Sequence, residues 1–489
     1  MQTEQQQQAL TTEPDDVQQH LHDVQALLER QQVVENLARA QQDEAGAEEQ
    51  APQESLAQRE HLAELRQLVE RLHPADIAYI LEALPLDERL LVWDQVAPER
   101  DGDILLELSD AVRESLIEHM EHHELAAVAQ NLEADELADL ADDLPPEVIE
   151  SAIAAREEDE QEQLRAALSY PEGTVGALMD FDMVCVREDV TLEVVLRYLR
   201  RFDELPSHTD KIFVVDREDQ LKGILSLEVL LINDPELEVF DAMRGDNIIH
   251  FSPEDDADEA AQAFERYDLV SAPVINESGQ VIGRLTIDSV VDHIREGSEQ
   301  DLLNQAGLRE EEDIFASVWD SLRNRWAWLA VNMITAVIAS RVIGVFEHSI
   351  ARLVALATLM PIVAGIGGNS GNQTTTLIVR ALGVGQIEHS AYLRLLRKEV
   401  GIGLINGLVW GGFLGILAWA IYDNAELGIV MAAAMTLTLM LASLAGVTIP
   451  MILSKLGLDP ALGSSVLLTA ITDSGGVFIF LGLATVFLL

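Results

Sequence analysis

Asp473 lies deep in the last apolar stretch of the chain, residues 461–489, and that stretch contains no basic residue to neutralise it. A stretch of this length can cross a bilayer, since roughly 20 apolar residues rising about 1.5 Å each span the hydrocarbon core. A bare carboxylate there costs on the order of 2.5–3.5 kcal/mol, so it should face an aqueous path, a partner or a bound cation. Other chemistries stay open beside cation binding. Arg341 could pair with it across helices, a protonated Asp473 could hydrogen-bond its neighbours, or the acid could relay protons.

A second polar cluster sits in the apolar segment 353–382. Residues 361–373 read Pro-Ile-Val-Ala-Gly-Ile-Gly-Gly-Asn-Ser-Gly-Asn-Gln, and Thr374, Thr375 and Thr376 follow. Four glycines, three amides and a proline at this density are expected to break or loosen a helix and leave backbone carbonyls unpaired. At membrane depth such backbone is tolerated only where protein packs it or it lines a water-filled cavity. Close helix packing would account for the glycines, but not for Asn369, Asn372 and Gln373. Segment 400–422 offers a contrast: Gly403, Gly407, Gly411 and Gly415 fall four apart, with only Asn406 as a nearby polar group, and read as a packing face.

Five apolar segments, about 326–346, 353–382, 400–422, 427–453 and 462–489, are needed to position these groups. Basic residues cluster before the first (Arg323, Arg325), between the second and third (Arg394, Arg397, Lys398) and between the fourth and fifth (Lys455), while the loop after the third carries only Asp423 and Glu426. The excess of basic residues on cytoplasmic loops then puts the amino-terminal part in the cytoplasm and the carboxyl terminus outside, across a plasma or bacterial-type inner membrane.

The remainder of the chain obeys different rules. From Asp320 onward there are eight acids and nine bases; of 85 acids and 31 bases in all, 77 and 22 therefore precede it, a net charge of −55 in residues 1–319. Such a region attracts cations and is a poor partner for nucleic acid or anionic lipid. With only four lysines in the chain, adaptation to high salt is a competing explanation of the acidity. Cys185 is the only cysteine, which excludes an intrachain disulfide and a cysteine zinc cluster. The start, with its run Gln5 to Gln8, lacks a basic region followed by an apolar stretch and does not read as a secretory signal.

Residues 1–55, rich in Gln, Glu, Asp and Ala, read as a solvated extension, disordered or partly helical around Val24 to Leu37. Across 56–170, apolar residues recur at three- and four-residue spacing, as in Leu65, Leu68, Val69 and Leu72, and breaks such as His73-Pro74 and Pro145-Pro146 predict a stack of short helices. Across 171–298 the period changes and a repeat emerges. Residues 212–228 align with 272–288 at a constant offset of 60, so that Gln220 meets Gln280, Gly223 meets Gly283, Leu225 meets Leu285 and Glu228 meets Asp288. This pattern resembles a tandem pair of CBS domains, the α/β modules that sense nucleotides or ions, here about 171–236 and 237–298. Residues 299–322 predict an amphipathic linking helix, with Leu302, Leu303, Ile314, Phe315, Val318 and Trp319, leading into the membrane part, 323–489.

Taken together, residues from about 60 onward resemble the MgtE family of magnesium channels and transporters. The resemblance rests on this order of parts and on the motifs 367–373, Leu458-Asp-Pro-Ala-Leu462 and Thr472-Asp-Ser-Gly475. It implies a multidomain architecture: an all-α cytosolic helical domain, a CBS pair, a linking plug helix and a five-helix pore domain, assembled as a homodimer in the lipid bilayer. It further implies that Asp473 holds hydrated Mg²⁺, with backbone at Gly365 and Thr469 facing the ion, the Asn372 amide nearby, and Gly367, Gly368, Asn369, Gly371 and Gln373 completing the motif. Asp103, Asp135 and Asp139 in the helical domain, Asp258, Asp268 and Asp292 in the second CBS copy, and Asp301 and Asp459 near the membrane are implied as regulatory Mg²⁺ ligands. Ser289 stands where relatives often have an acid, so the site shared with Asp135 is expected to be weaker or differently built. ATP at the CBS pair is a further cofactor that the family admits.

The function this implies is a magnesium-selective channel for Mg²⁺ uptake, closed when cytosolic Mg²⁺ bridges its acidic faces. Two alternatives are a proton- or sodium-coupled transporter of divalent cations and a nucleotide-sensing membrane protein. No nucleophile, phosphate loop or metal-hydrolase spacing supports an enzyme. The two explanations of the acidity part experimentally. If salt adaptation dominates, molar KCl should restore the fold of chelator-treated protein as well as millimolar Mg²⁺ does; if divalent binding dominates, Mg²⁺ alone should do so, read by circular dichroism.

Overall fold

The computed structural model describes residues 16–45, 56–202, 205–308, 312–383, 387, 392–458 and 460–489. These fall into two compact units: Met1–Glu296 with Glu311–Ala316, and Gly297–Glu310 with Ser317–Leu489.

The first unit begins with α1 (Asp16–Ala45), α2 (Leu56–Val69), α3 (Pro74–Glu82), α4 (Leu86–Trp93), α5 (Asp101–Leu106), α6 (Asp110–Ile117), α7 (His122–Asn131), α8 (Ala134–Asp139), α9 (Pro146–Ala155) and α10 (Glu158–Ala167). Local chemistry sets their starts. Pro74 and Pro146 occupy first-turn positions, where a missing N–H costs nothing. Glu121 and Glu124, like Glu133 and Glu136, form reciprocal capping boxes that satisfy the free N–H groups of α7 and α8. One apolar core runs through all of them. It includes Val24 and Leu28 of α1, fully buried with Leu65, Leu81 and Ile104. Of the two readings of this extension, disordered or partly helical around Val24 to Leu37, the helical one holds over 16–45: its few apolar residues suffice because each fully buried Val or Leu contributes about 1.5–3 kcal/mol. Residues 1–15 and 46–55 lie outside the described residues.

In the CBS pair, β1 (Cys185–Arg187), α11 (Leu192–Leu199), β2 (Lys211–Val215), β3 (Leu221–Ser226), α12 (Leu227–Ile232) and α13 (Val239–Ala242) precede α14 (Ala257–Tyr267), β4 (Ser271–Ile275), β5 (Val281–Thr286) and α15 (Ile287–Ala306). The repeat is realised strand by strand. β2 pairs antiparallel with β3, and β4 with β5, and each register slips at the equivalent place, Val214/Val215 and Val274/Ile275. The aligned glutamines meet across the duplication: Gln220 Nε2 donates to Ser278 O at 3.1 Å and Gln280 Nε2 to Glu218 O at 3.0 Å. The aligned glycines are equally explained, since the space for a Cβ at Gly223 is filled by Met243 and at Gly283 by Met179.

α15 ends earlier than the linking helix expected over 299–322. Gly307 turns to φ +82°, and the Trp328 indole fills the space where its Cβ would be, so helix resumes only at Val318. Within the first unit, Asp313 is bound by Arg89, a guanidinium with no exposure. Nη1 donates to Asp313 Oδ2 at 2.8 Å and to Ser115 Oγ at 2.9 Å, while Nε and Nη2 donate to the carbonyls of Leu81 and Leu84.

The second unit contains α16 (Val318–Val345), α17 (Glu347–Arg352), α18 (Ala355–Gly383), α19 (Tyr392–Tyr422), α20 (Ala425–Lys455) and α21 (Pro460–Leu488). Four of these are long and apolar enough to cross a membrane: α16 from Ser321, α19, α20, and α21 from Gly463. The fifth long helix, α18, has 29 residues, and the Gly-Asn segment at its centre dilutes its apolar character. That segment does not break the helix, contrary to expectation. At membrane depth a continuous helix satisfies its own backbone groups, and the small residues are used for contact: Cβ atoms at Gly367 and Gly371 would lie 2.7 Å from Thr438 and 2.8 Å from Leu468.

The Arg89 pair generates a test. Removing one partner of a buried ion pair strands the other, at a cost of about 3–5 kcal/mol. Asp313→Ala should destabilise the protein on that scale in thermal unfolding. The swap Arg89→Asp/Asp313→Arg should not recover it, because the Leu81 and Leu84 carbonyls require a donor at position 89.

Candidate functional site

Asp473 is half-buried on α21, and no described residue gives it a hydrogen bond or an ion pair; Arg341 is exposed on α16 and does not reach it. Thr472 beside it is fully buried and spends its hydroxyl on Leu468 O at 3.0 Å and Thr469 O at 3.2 Å. A Cβ at Gly368 would lie 3.7 Å from Thr472 Oγ1, so the Gly-Asn stretch of α18 runs beside the turn of α21 that carries the acid. The motif divides by face. Gly367 and Gly371 are buried in helix packing, whereas Gly365, Asn369, Asn372 and Gln373 on α18 and Thr469 on α21 are exposed. The structure thus presents oxygen-bearing groups and one uncompensated carboxylate along neighbouring helices, a donor set suited to a hard, hydrated cation. Thr438 Oγ1 and Ser474 Oγ in the same region are buried with no partner among the described residues.

The contrasting stripe on α19 packs as expected. Cβ atoms at Gly403, Gly411 and Gly415 would meet the carbonyls of Leu439, Ala432 and Gly428 at 2.9, 2.7 and 2.6 Å. Sequence reasoning passed over the residue one step up that stripe, Glu399. It is 6% exposed and accepts a hydrogen bond from Thr374 Oγ1 at 3.2 Å. Its position four before Gly403 was the available signal.

In the first unit, α8 presents acids to the CBS pair. Carboxylate oxygens of Glu133, Asp135 and Asp180 all lie within 4.8 Å of one another. Burial, then the neighbouring Asp180, pushes Asp135 up to about 7. Asp139 is pushed up to about 6 by burial and then by Glu296, with Asp292 contributing; its surface remains exposed, so water tempers this shift more than that of Asp135. Asp180 is itself held by Arg284, whose Nε and Nη2 approach Oδ2 at 2.8 and 2.7 Å, yet burial keeps its carboxyl above the ordinary range. Three acidic oxygens with too little countercharge fit a divalent cation of the Mg²⁺ or Ca²⁺ type.

Glu133, Asp180 and Glu296 were missed: the first lies in a capping box, the second precedes the aligned stretch of the repeat, and the third looks like one more helix-surface acid. Ser289 spends its hydroxyl on Thr286 Oγ1 at 3.0 Å, so Asp180 rather than position 289 brings the CBS carboxylate to Asp135. Of the other expected ligands, Asp103 is exposed near Glu136, Asp258 pairs with His293 Nε2 at 3.0 Å, Asp268 ends α14 at φ 50°, and Asp292 lies 3.6 Å from Arg295. None of these four joins the Glu133, Asp135, Asp180 group. Asp301 lies on α15 with its side chain outside the described set, and Asp459 lies outside the described residues.

A helical domain, a duplicated CBS module and a helical unit with four helices long and apolar enough to span a bilayer define the class of a multi-pass membrane protein. Comparison with known families agrees part by part: residues 72–173 match the MgtE intracellular N domain, 175–233 and 239–296 the CBS domain, and 360–483 MgtE, described as a divalent cation transporter. The magnesium transporter MgtE of Thermus thermophilus is 30% identical over 437 residues, 87% of this chain and 95% of that one; that of Bacillus subtilis is 26% identical over 427 residues, 87% and 94%. The chain belongs to the MgtE family. Among solved structures, the cytosolic domain of the Mg²⁺ channel MgtE in complex with ATP is 28% identical and covers 48% of this chain and 98% of its own, with a TM-score of 0.44.

The raised carboxyls predict a pH dependence. Asp135 binds its proton more tightly folded than unfolded, so its stabilising contribution is complete below the unfolded value of about 4 and is lost as pH rises through about 7. In chelator, the full-length protein should therefore lose stability between about pH 4 and pH 7, and Asp135→Asn should recover on the order of 1–2 kcal/mol at about pH 8 and little at about pH 4. Thermal unfolding across pH measures both; a wild type whose stability rises over this window contradicts the assignment.

Proposed function

We propose that this chain is a magnesium-selective channel for Mg²⁺ uptake, closed by cytosolic Mg²⁺. The observation that carries the reading is Asp473, an uncompensated carboxylate in a membrane helix beside a helix on which Gly365, Asn369, Asn372 and Gln373 are exposed. In this reading Asp473 supplies the field for a hydrated ion, Gly365 and Thr469 offer backbone oxygens, and Asn372 steadies the water shell. Gly367, Gly368, Asn369, Gly371 and Gln373 shape α18. The polar face is exposed in one chain, so a second copy, related as a homodimer, encloses it. Mg²⁺ is attractive as cargo because it sheds water reluctantly and can be held through its shell by carboxylate and carbonyl oxygens.

The helical domain (56–170) and CBS pair (171–298) serve as the sensor. Asp135 with Glu133 and Asp180, and Asp139 with Asp292 and Glu296, are best supported as regulatory ligands, since their carboxylates already crowd one another. Asp103, Asp258, Asp268, Asp301 and Asp459 remain proposed ligands of further sites. Metal that binds the closed arrangement better shifts the population toward it. When internal Mg²⁺ falls, repulsion among these acids favours opening. ATP at the CBS pair and a carboxyl terminus outside the cell belong to the same proposal.

Mg²⁺ uptake into liposomes, measured across internal Mg²⁺ concentrations, tests pore and gate together. Wild-type flux should fall steeply as internal Mg²⁺ reaches the millimolar range, while Asp473→Asn should lower flux roughly tenfold or more at every concentration. Undiminished wild-type flux at millimolar internal Mg²⁺ would sink the gate. Uptake driven by a pH gradient alone would turn the assignment toward coupled transport.

A further inference from the structure

Glu399 is a buried acid in a membrane helix that the proposed path does not use. It heads the stripe of α19 formed with Gly403, Gly407, Gly411 and Gly415, and that stripe packs on α20. Lys398 Nζ is 3.4 Å from its Oε1 but is mostly exposed, so this pair supplies little holding force. The buried partner is Thr374, whose Oγ1 donates to Oε2 at 3.2 Å across to α18. Thr374 directly follows the motif that carries Asn369, Asn372 and Gln373, and it is itself buried, on the side of α18 away from those exposed amides. It is pinned twice: a Cβ at Gly446 of α20 would lie 3.0 Å from Thr374 Cβ, so α20 closes on the same residue from a second direction. The next residue, Thr375, faces Gly446 O at 3.5 Å.

A buried ionisable group is retained at a cost and calls for a reason. Gly367 and Gly371 bring α18 close to its neighbours, but on the α19 side of the motif the contact is polar: Thr374 meets the Glu399 carboxylate there. A directional hydrogen bond to a buried carboxyl oxygen fixes the register of this contact in a way that apolar packing does not. We propose that Glu399 is a positioning residue for ion passage: through Thr374 it sets the rotation of α18, and so the direction in which Asn372 and Gln373 face beside Asp473. This rests on the reading of Asp473 and the α18 amides as the ion path.

Mg²⁺ flux as a function of external Mg²⁺ tests it in full-length protein reconstituted in liposomes. Glu399→Ala and the isosteric Thr374→Val should each raise the half-saturating concentration about fivefold, with maximal flux changed much less, and the double variant should be no worse than either single. Glu399→Gln keeps an acceptor for Thr374 and should stay within about twofold of wild type. The amount of folded protein and its thermal midpoint are measured alongside. If Glu399→Ala folds poorly, Thr374→Val carries the test. Additive effects of the two substitutions, a Glu399→Gln variant as impaired as Glu399→Ala, or wild-type half-saturation in Thr374→Val would each overturn the proposal. Asp473→Asn is the control for the underlying path. Loss of its flux alongside wild-type behaviour at positions 399 and 374 refutes the positioning role alone, whereas retained flux refutes the path and the positioning role with it.

Discussion

Negative charge that the fold does not neutralise is the constraint on which the rest of this protein turns. In the soluble unit, α8 and the CBS pair bring Asp135, Glu133 and Asp180 within reach of one another, and Arg284 answers only part of that charge. In the membrane unit, Asp473 stands with no described partner at all. Both places leave an electrostatic deficit that a mobile cation can fill. Under the proposed function, the soluble deficit would tie the sensor to ion concentration, and the membrane deficit would give a transported ion a place to rest.

Against that deficit, the scaffold is held by contacts that need no charge. Val24 and Leu28 tie an otherwise polar amino-terminal helix to the core of the helical domain. Met179 and Met243 fill the same notch in each CBS copy. Where charge is buried for structure, as at Arg89, it is saturated: four hydrogen-bond partners surround the guanidinium. The saturated Arg89 and the undersupplied Asp135 mark the two extremes of charge burial in this unit.

Much of this could be read from the residues because period and spacing are local properties. The offset of 60 between the CBS copies survives down to matching register slips, since each copy buries its strands against the same kind of neighbour. The α19 glycine stripe was legible because a four-residue spacing marks one helix face. The Gly-Asn segment misled, because composition alone cannot tell a helix loosened by glycine from one that uses glycine to approach Thr438 and Leu468. α15 stopped short of its expected end for a similar reason: the φ +82° turn at Gly307 depends on Trp328, 21 residues away. The acid cluster at α8 was half visible. Asp135 stood out, but Asp180 joins it only through tertiary folding, and no spacing in the chain announces that meeting.

The close fit of α19 on α20 has a mechanical consequence. With hypothetical Cβ atoms at Gly403, Gly411 and Gly415 falling within 3 Å of facing carbonyls, the two backbones lie against each other with almost no compliance. Neither sliding nor rolling is available to them without steric collision, so they behave as one stiff plank. α16, by contrast, buries none of its apolar window within the chain. Bending of the membrane unit must therefore fall on other helices, with this pair as the fixed frame.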